Sequence, residues 1–499
     1  MRLCLGTMAE TKVESLKAEH ERLGRMVSAL IAGYAGRLEE ARVCSEASPE
    51  ELERLFDEPL PADGERVENI LEQFERDVVP HLMNIPSPRY YGLFNPTPLP
   101  VAVWADALAS AVNQNGAAWR NSPSASVVEA RVLRWLCELV GYGPESFGTL
   151  TSGGSEANLI ALKCARDRAI EGVRERGLLG SPAAGRALVV YASEQSHYSF
   201  VKSVDILGLG RDSLRKIDTD GRFHIRTDLL REAIERDLER GLVPVCVAGS
   251  AGATSTGVVD PLEELADIAE SYKLWFHVDA AYGGGLLFSE KHRERLRGIE
   301  RADSVTFDPH KWMFVPFACG ALLARAGGGV LRDAFDISPE YLSEQRGGAD
   351  VGYDFFRYGQ LGTRRFNALK VWMALKHLGT RGYAEIVERQ IELTRHFAAR
   401  IDALPDFERL GEIETATCCV RFVPARFKDR GGDELDRLQT RLQQRVERSG
   451  EAWLSSTVLR GRRALRVNVN SFLTERRHVD NLVELLRREG SKLLEERED

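Results

Sequence analysis

Apolar and polar positions alternate with different periods along the chain. Over residues 9 to 57 apolar residues recur at helical spacing among charges, as in LKAEHERLGRMVSALIAGYAGRLEE, which predicts one or two amphipathic helices. DEPLPADG reads as a loop and VENILEQFERDVVPHLM as a further helix. NIPSPRYYGLFNPTPLP, rich in proline and aromatics, reads as an extended segment. From Trp104 to about Leu323, short β-rich runs alternate with helical stretches. RALVVYAS, PVCVAGSAGAT, LWFHVDAA and SVTFDPH predict strands, while EANLIALKCARDRAIEGVRER, RTDLLREAIERDLERG and PLEELADIAESY predict helices. Nearly continuous apolar strands between helices predict an α/β fold with a mostly parallel sheet buried on both faces. Ligands of such sheets bind beyond the carboxyl ends of the strands. Residues 338 to 358 read as a loop centred on Gly347-Gly348. The segment RRFNALKVWMALKHLGTRGYAEIVERQIELTRHFAARIDAL is helical, and the tail mixes strands and helices. The predicted organisation is a helical segment at 1–95, a large α/β domain at 96–378 and a smaller α+β domain at 379–499.

Charge and cysteine usage narrow the setting. A net charge of -8, spread along 499 residues, argues against a basic nucleic-acid-binding face. It leaves room for a small anionic ligand, because a local nest of backbone amides binds phosphate whatever the global charge. No apolar run is long enough for a transmembrane helix, and the first residues carry too short an apolar run for a signal peptide. The eight cysteines are scattered, with no CxxC, and read as reduced thiols of a cytoplasmic protein. No zinc-ligand spacing is present, so no metal is expected.

Four motifs carry chemistry. In GTLTSGGSEANLIALK a strand-like run leads through glycines into a helix, whose free N–H groups at Gly154 and Ser155 suit a phosphate. It lacks the GxxxxGK[ST] spacing of nucleotide hydrolases. In WFHVDAAYGGG, Asp279 ends an apolar strand, where a carboxylate needs a cationic partner, and the small Ala281 leaves room for a flat ring. Lys311, in DPHKW, follows another strand; a desolvated lysine is an amine nucleophile toward an aldehyde. His197, in SEQSHYSFVKS, follows a third. Each alone has an ordinary structural explanation: a loop, a cap, a surface dipeptide or a satisfied polar side chain. Together, a phosphate nest, an aromatic cap, a carboxylate and a lysine along one α/β sheet point to pyridoxal 5′-phosphate. The carboxylate keeps the pyridine nitrogen protonated, the lysine holds the aldehyde as a Schiff base, and the histidine ring stacks on the cofactor face.

TSGGSEAN, HYS, HVDAAYGG and DPHKW, with WRNSPSASVVEARVLRWL and GQLGTRRFNALKVWMAL, resemble the group II pyridoxal-phosphate amino-acid decarboxylases, which include aromatic-L-amino-acid and glutamate decarboxylases. The resemblance runs from about residue 75 to the C-terminus. It implies the aspartate-aminotransferase-like fold type I and a homodimer with active sites shared between subunits, the N-terminal helices clasping the partner. It implies that Lys311 carries the cofactor, Asp279 pairs with its ring nitrogen, His197 stacks on one face and Ala281 contacts the other. Gly154, Ser155 and Asp308 would lie by the phosphate, Thr254 near the lysine–cofactor bond and His310 beside the substrate. Tyr341, in SPEYL, matches the loop tyrosine that returns a proton to Cα, and Gly347-Gly348 suit a mobile lid. Relatives with phenylalanine in place of that tyrosine form aldehydes, so tyrosine favours the amine.

The substrate is read from two segments. RYYGLFNP matches one wall of the family's side-chain pocket, and Leu93 and Phe94 are apolar there. VNQNGAAWRNSP matches the wall supplied by the partner subunit, with Asn115, Ala117 and Trp119; Asn115 and Ala117 replace bulkier apolar residues and imply a wider or more polar pocket. The reading is decarboxylation of an aromatic L-amino acid to its amine and CO2. The alternatives are decarboxylation of an acidic amino acid (glutamate, aspartate or cysteine sulfinate), for which Arg120 is a candidate partner, and decarboxylation-coupled oxidative deamination to an aldehyde. Arg466, in ALRVNVNS, resembles the carboxylate-binding arginine of aminotransferases, but the Trp-x-x-Ser-Pro segment and the loop tyrosine argue for decarboxylation.

Overall fold

The computed structural model describes residues 12–337, 352–427 and 432–496. Twelve strands are assigned among them: β1 Tyr90–Tyr91, β2 Phe147–Thr151, β3 Leu188–Ser193, β4 Leu214–Ile217, β5 Val243–Ser250, β6 Trp275–Asp279, β7 Ser304–Phe307, β8 Gly320–Ala324, β9 Phe407–Leu410, β10 Thr417–Phe422, β11 Trp453–Leu459 and β12 Arg462–Asn468. Seven of them form the central sheet in the order β2-β8-β7-β6-β5-β3-β4. All its pairings are parallel except those of β8, which is antiparallel to β2 and β7. The four predicted strands are β3, β5, β6 and β7. Local pattern does not single out β4 and β8: β4 is a short strand at the sheet edge, and GALLA is built from residues that also favour helix.

Helices cover both faces of this sheet. Gly154–Ala169 packs against β8, β7 and β5, while Leu262–Tyr272 and Thr227–Glu239 lie over β5 and its neighbours. Every residue of β3 is buried, as expected for a strand between two helical layers.

A second sheet, in the order β1-β11-β12-β10-β9, belongs to the C-terminal region with one exception. β1 comes from the Pro- and aromatic-rich segment near residue 90 and pairs in parallel with β11, Tyr90 opposite Trp453. Residues 90 and 91, placed by local pattern with the N-terminal segment, are therefore a strand of the C-terminal sheet. Gly92 follows because a Cβ there would fall 1.6 Å from the Trp453 ring. The long helix Ala368–Asp402 breaks at Gly379, whose φ of 62° is a left-handed value that glycine adopts without strain.

The N-terminal helices are Lys12–Gly36, Pro49–Leu55 and Val67–Gln73, the second held by a capping box between Ser48 and Glu51. No side chain between residues 19 and 36 is buried in its own chain.

Candidate active site

The four motifs meet in one cavity of about 300 Å³ at the carboxyl ends of the central strands. Chain topology accounts for the convergence. Ser152–Ser155 follow β2, His197 follows β3, Thr254 follows β5, Asp279 ends β6, and Asp308, His310 and Lys311 follow β7. All of these residues line the cavity, as do Ala281 and Phe94.

Asp279 is held by donors on both oxygens. Oδ2 accepts from Asn158 Nδ2 at 2.9 Å and Oδ1 from the Ala281 N–H at 3.2 Å. Asn158 also donates to Ser199 Oγ at 2.9 Å, and Ser199 lies 2.8 Å from His197 Nδ1. The oxygen of Asn158 faces Thr306 Oγ1 at 2.6 Å and His277 Nε2 at 3.0 Å. Burial lowers the pKa of His197, and that of fully buried His277 to about 4, so both rings are neutral at pH 7.

Lys311 Nζ lies 3.1 Å from Asp308 Oδ2. The same oxygen accepts the Gly154 N–H at 3.0 Å. The amide expected to meet a phosphate is thus engaged by a carboxylate. His310 Nε2 is 3.6 Å from Asp308, and its Nδ1 accepts the Cys319 N–H at 2.9 Å. This leaves the proton of the neutral ring on Nε2. Burial again lowers the histidine's pKa.

One wall is aromatic. Phe94 stacks on Tyr282 with ring centroids 3.7 Å apart, Tyr282 stacks on Trp312 at 4.5 Å, and Lys311 Nζ is 6.0 Å from the Phe94 centroid. The Arg466 guanidinium lies 4.5 Å over the Phe94 ring; it is buried and does not line the cavity.

The sequence matches the pyridoxal-dependent decarboxylase conserved domain over residues 49–423. The chain belongs to this decarboxylase family. The decarboxylase is 31% identical to tryptophan decarboxylase 2 of Oryza sativa subsp. japonica, over 94% of each chain. It is 34% identical to the acidic amino acid decarboxylase GADL1 of Xenopus tropicalis, over 78% of this chain and 75% of that one. The crystal structure of Oryza sativa TDC with PLP and tryptamine superposes with a TM-score of 0.88 at 28% identity, covering 95% of this chain and 98% of that one. The fold is fold type I, the cofactor is pyridoxal phosphate and the reaction is decarboxylation of an amino acid.

The cavity of the decarboxylase fits that cofactor. A Cβ on Gly154 would approach Asp308 Oδ2 to 2.9 Å and one on Gly153 would approach His310 Cε1 to 3.1 Å, so only glycine leaves this corner open. Asp308 Oδ1 is buried without a hydrogen-bond partner among the described residues. A lysine amine, a doubly bonded carboxylate and a neutral imidazole face one space of suitable chemistry.

Other predicted residues lie elsewhere in the decarboxylase. Leu93 is 48% exposed and off the cavity wall, while its neighbour Phe94 turns inward. Asn115 and Ala117 line a separate cavity of about 870 Å³, and the Asn115 side-chain oxygen Oδ1 accepts from the backbone N–H groups of Ala117 and Arg364. The backbone N–H of Trp119 donates to Asp354. None of these three reaches the Lys311 cavity of its own chain. Tyr341 and Gly347-Gly348 lie outside the described residues. Asn158, Tyr282 and His277 are site residues that motif reading passed over. For Asn158 the signal was there: it sits four residues after Gly154, on the same face of a helix. Among the described residues there is no cluster of potential metal ligands and no helix long and apolar enough to cross a membrane.

Proposed function

We propose that the decarboxylase converts an aromatic L-amino acid to its amine and CO2. The observation that carries this reading is the stacked pair Phe94–Tyr282, which forms an apolar wall of the cavity and stands on the Arg466 charge. An aromatic side chain gains both area burial and ring stacking against such a wall.

Pyridoxal phosphate supplies an electron sink for the pair of electrons released when the carboxylate departs. The residues of this chain hold and orient. Asp279 would pair with the ring nitrogen, His197 would cover one ring face and Ala281 would leave space at the other. Ser155, Gly154 and Thr254 would lie toward the phosphate, with Asp308, which accepts the Gly154 N–H, at the edge of that corner. Lys311 presents the amine for the aldehyde carbon. His310, with its proton on Nε2, donates toward the substrate. Tyr341 delivers the proton to Cα that completes the amine. Positioning of the carboxylate relative to the ring selects the bond that breaks.

The wall segment with Asn115, Ala117 and Trp119 serves the partner's cavity in a homodimer. Trp104, Leu108 and Val112 support this: they are 43, 51 and 52% exposed at every fourth position of the helix Pro100–Val112, an apolar stripe without cover in its own chain. The helix Lys12–Gly36, with no buried side chain from residue 19 on, suits the clasping arm of a helical segment 1–95, ahead of 96–378 and 379–499, with residues 90 and 91 joining the C-terminal sheet. The seven described cysteines are free and buried, which fits the cytoplasm.

A second reading has its own observation. Arg466 Nε and Nη2 have no hydrogen-bond partner among the described residues. A shift of Phe94 would open this guanidinium to the carboxylate of an acidic substrate. Product analysis by mass spectrometry, with pyridoxal phosphate and a panel of L-amino acids, separates the readings. Amine from tyrosine, tryptophan or phenylalanine supports the first. Amine only from glutamate, aspartate or cysteine sulfinate replaces it with the second. Aldehyde in place of amine would show that Cα is not protonated in time.

A further inference from the structure

The polar groups beneath Asp279 form a directed relay. Trp275 Nε1, which can only donate, lies 2.8 Å from Ser304 Oγ. The Ser304 hydroxyl, which can still donate, lies 2.8 Å from His277 Nδ1. His277 Nε2 lies 3.0 Å from Asn158 Oδ1, an acceptor only, so this nitrogen carries the ring proton. The Thr306 hydroxyl reaches the same oxygen at 2.6 Å. With two donors on Oδ1, the Asn158 amide has one orientation. Its two N–H groups then face Asp279 Oδ2 and Ser199 Oγ, each at 2.9 Å. Ser199 passes its own proton to His197 Nδ1 at 2.8 Å, and its backbone N–H meets the same nitrogen at 3.3 Å. Asn158, His277, Thr306, Ser304 and Ser199 are all buried, so water does not compete for these groups.

We propose that Asn158, held in one orientation by Thr306 and His277, is a positioning residue that orients the Asp279 carboxylate and, through Ser199, keeps the His197 proton on Nε2. The inference rests on the reading of Asp279 as partner of the cofactor's ring nitrogen. A reversed amide would set its oxygen against the Asp279 carboxylate and its N–H groups against the Thr306 and His277 donors. One amide therefore orients the Asp279 carboxylate and, through Ser199, supports the tautomer of the His197 imidazole.

The test combines histidine ring ¹⁵N NMR at pH 7.5 on the cofactor-loaded protein with cofactor affinity by fluorescence titration of the stripped protein. Signals are assigned by loss in His277→Gln and His197→Gln. Both rings are expected neutral with the proton on Nε2; a proton on Nδ1 of His277 overturns the relay. Thr306→Val, which deletes the hydroxyl at nearly constant shape, should weaken cofactor binding by about tenfold, the size of one lost hydrogen bond. Thr306→Ser should restore it to within about twofold. Equal affinity in the Val and Ser variants overturns the proposal. Asn158→Asp, which sets two carboxylates face to face, should weaken binding by about a hundredfold or more. If that variant does not fold, the Thr306 pair and the wild-type spectrum decide. Failure of the underlying reading looks different: Asp279→Asn would bind cofactor normally while the histidine signals stayed as expected.

Discussion

Arg466 and Phe94 are stacked, guanidinium over ring at 4.5 Å, with the ring on the cavity wall and the cation behind it. The guanidinium Nη1 donates to Gly92 O at 3.0 Å and Ser455 Oγ at 3.2 Å, while Nε and Nη2 have no partner among the described residues. The cation is fully removed from water, and burial lowers its pKa. Phe94 therefore lies between the cavity and this cation. Phe94→Ala is expected to lower kcat/KM for an aromatic substrate by about tenfold or more, through lost burial and stacking, and to raise relative activity toward acidic substrates. Competition assays with paired aromatic and acidic amino acids check this. Unchanged selectivity would show that Phe94 does not contact the substrate.

Lys311→Ala should abolish turnover and the visible absorbance of bound cofactor. It also removes the side-chain nitrogen 3.1 Å from Asp308 Oδ2, whose other oxygen has no partner among the described residues. Absorbance spectra and amine release measured on the same preparation check both effects. Normal turnover would reassign the amine.

Tyr341→Phe should leave cofactor affinity unchanged and divert product from amine to aldehyde. The two products are quantified together by mass spectrometry. An unchanged amine yield would place the proton donor elsewhere, with His310 the next candidate in the cavity.

His277 gives a pH dependence with a definite sign. Its pKa is about 4 in the folded protein because burial disfavours the cation, against about 6.5 when unfolded. Between those values the unfolded chain binds more protons, so stability is fully present above about pH 6.5 and is lost as pH falls toward 4. Asp279, the charged group facing the ring, opposes the shift without cancelling it. From pH 7.5 to 5 the loss assigned to this residue is about 2 kcal/mol. Urea midpoints of wild type and His277→Gln at the two pH values check it. The variant should show the smaller difference between them, whatever its absolute stability.

Gly92→Ala tests the strand that joins the two ends of the chain. The added methyl would overlap the Trp453 ring, which stacks on Tyr90 at 5.1 Å. Overpacking of this kind costs about 1–3 kcal/mol. Lower thermal stability is expected, together with weaker order in the Phe94 wall two residues on; limited proteolysis and melting curves check both.

The apolar period of the chain by itself determined the central layer. Four runs of buried β-formers, β3, β5, β6 and β7, alternate with amphipathic helices, and this leaves a buried parallel sheet as the economical way to cover both apolar faces. The residues that follow those strands, His197, Thr254, Asp279 and Lys311, were legible as chemistry because the carboxyl ends of parallel strands lie on one edge. What only the tertiary structure decided are relationships between segments far apart in sequence. Pairing of Tyr90 with Trp453 depends on hydrogen bonds across more than three hundred residues, to which no local period points. Just beyond that pairing Phe94 turns inward and Leu93 outward. The donors on Asp279 depend on Asn158, Thr306 and His277 arriving from a helix and two strands, and a hydrogen-bond network has no sequence period. Asn115, Ala117 and Trp119 stand away from the Lys311 cavity of their own chain because the 115–119 segment is fastened to Arg364 and Asp354. Composition reports which groups are present; only folded distance reports which of them meet.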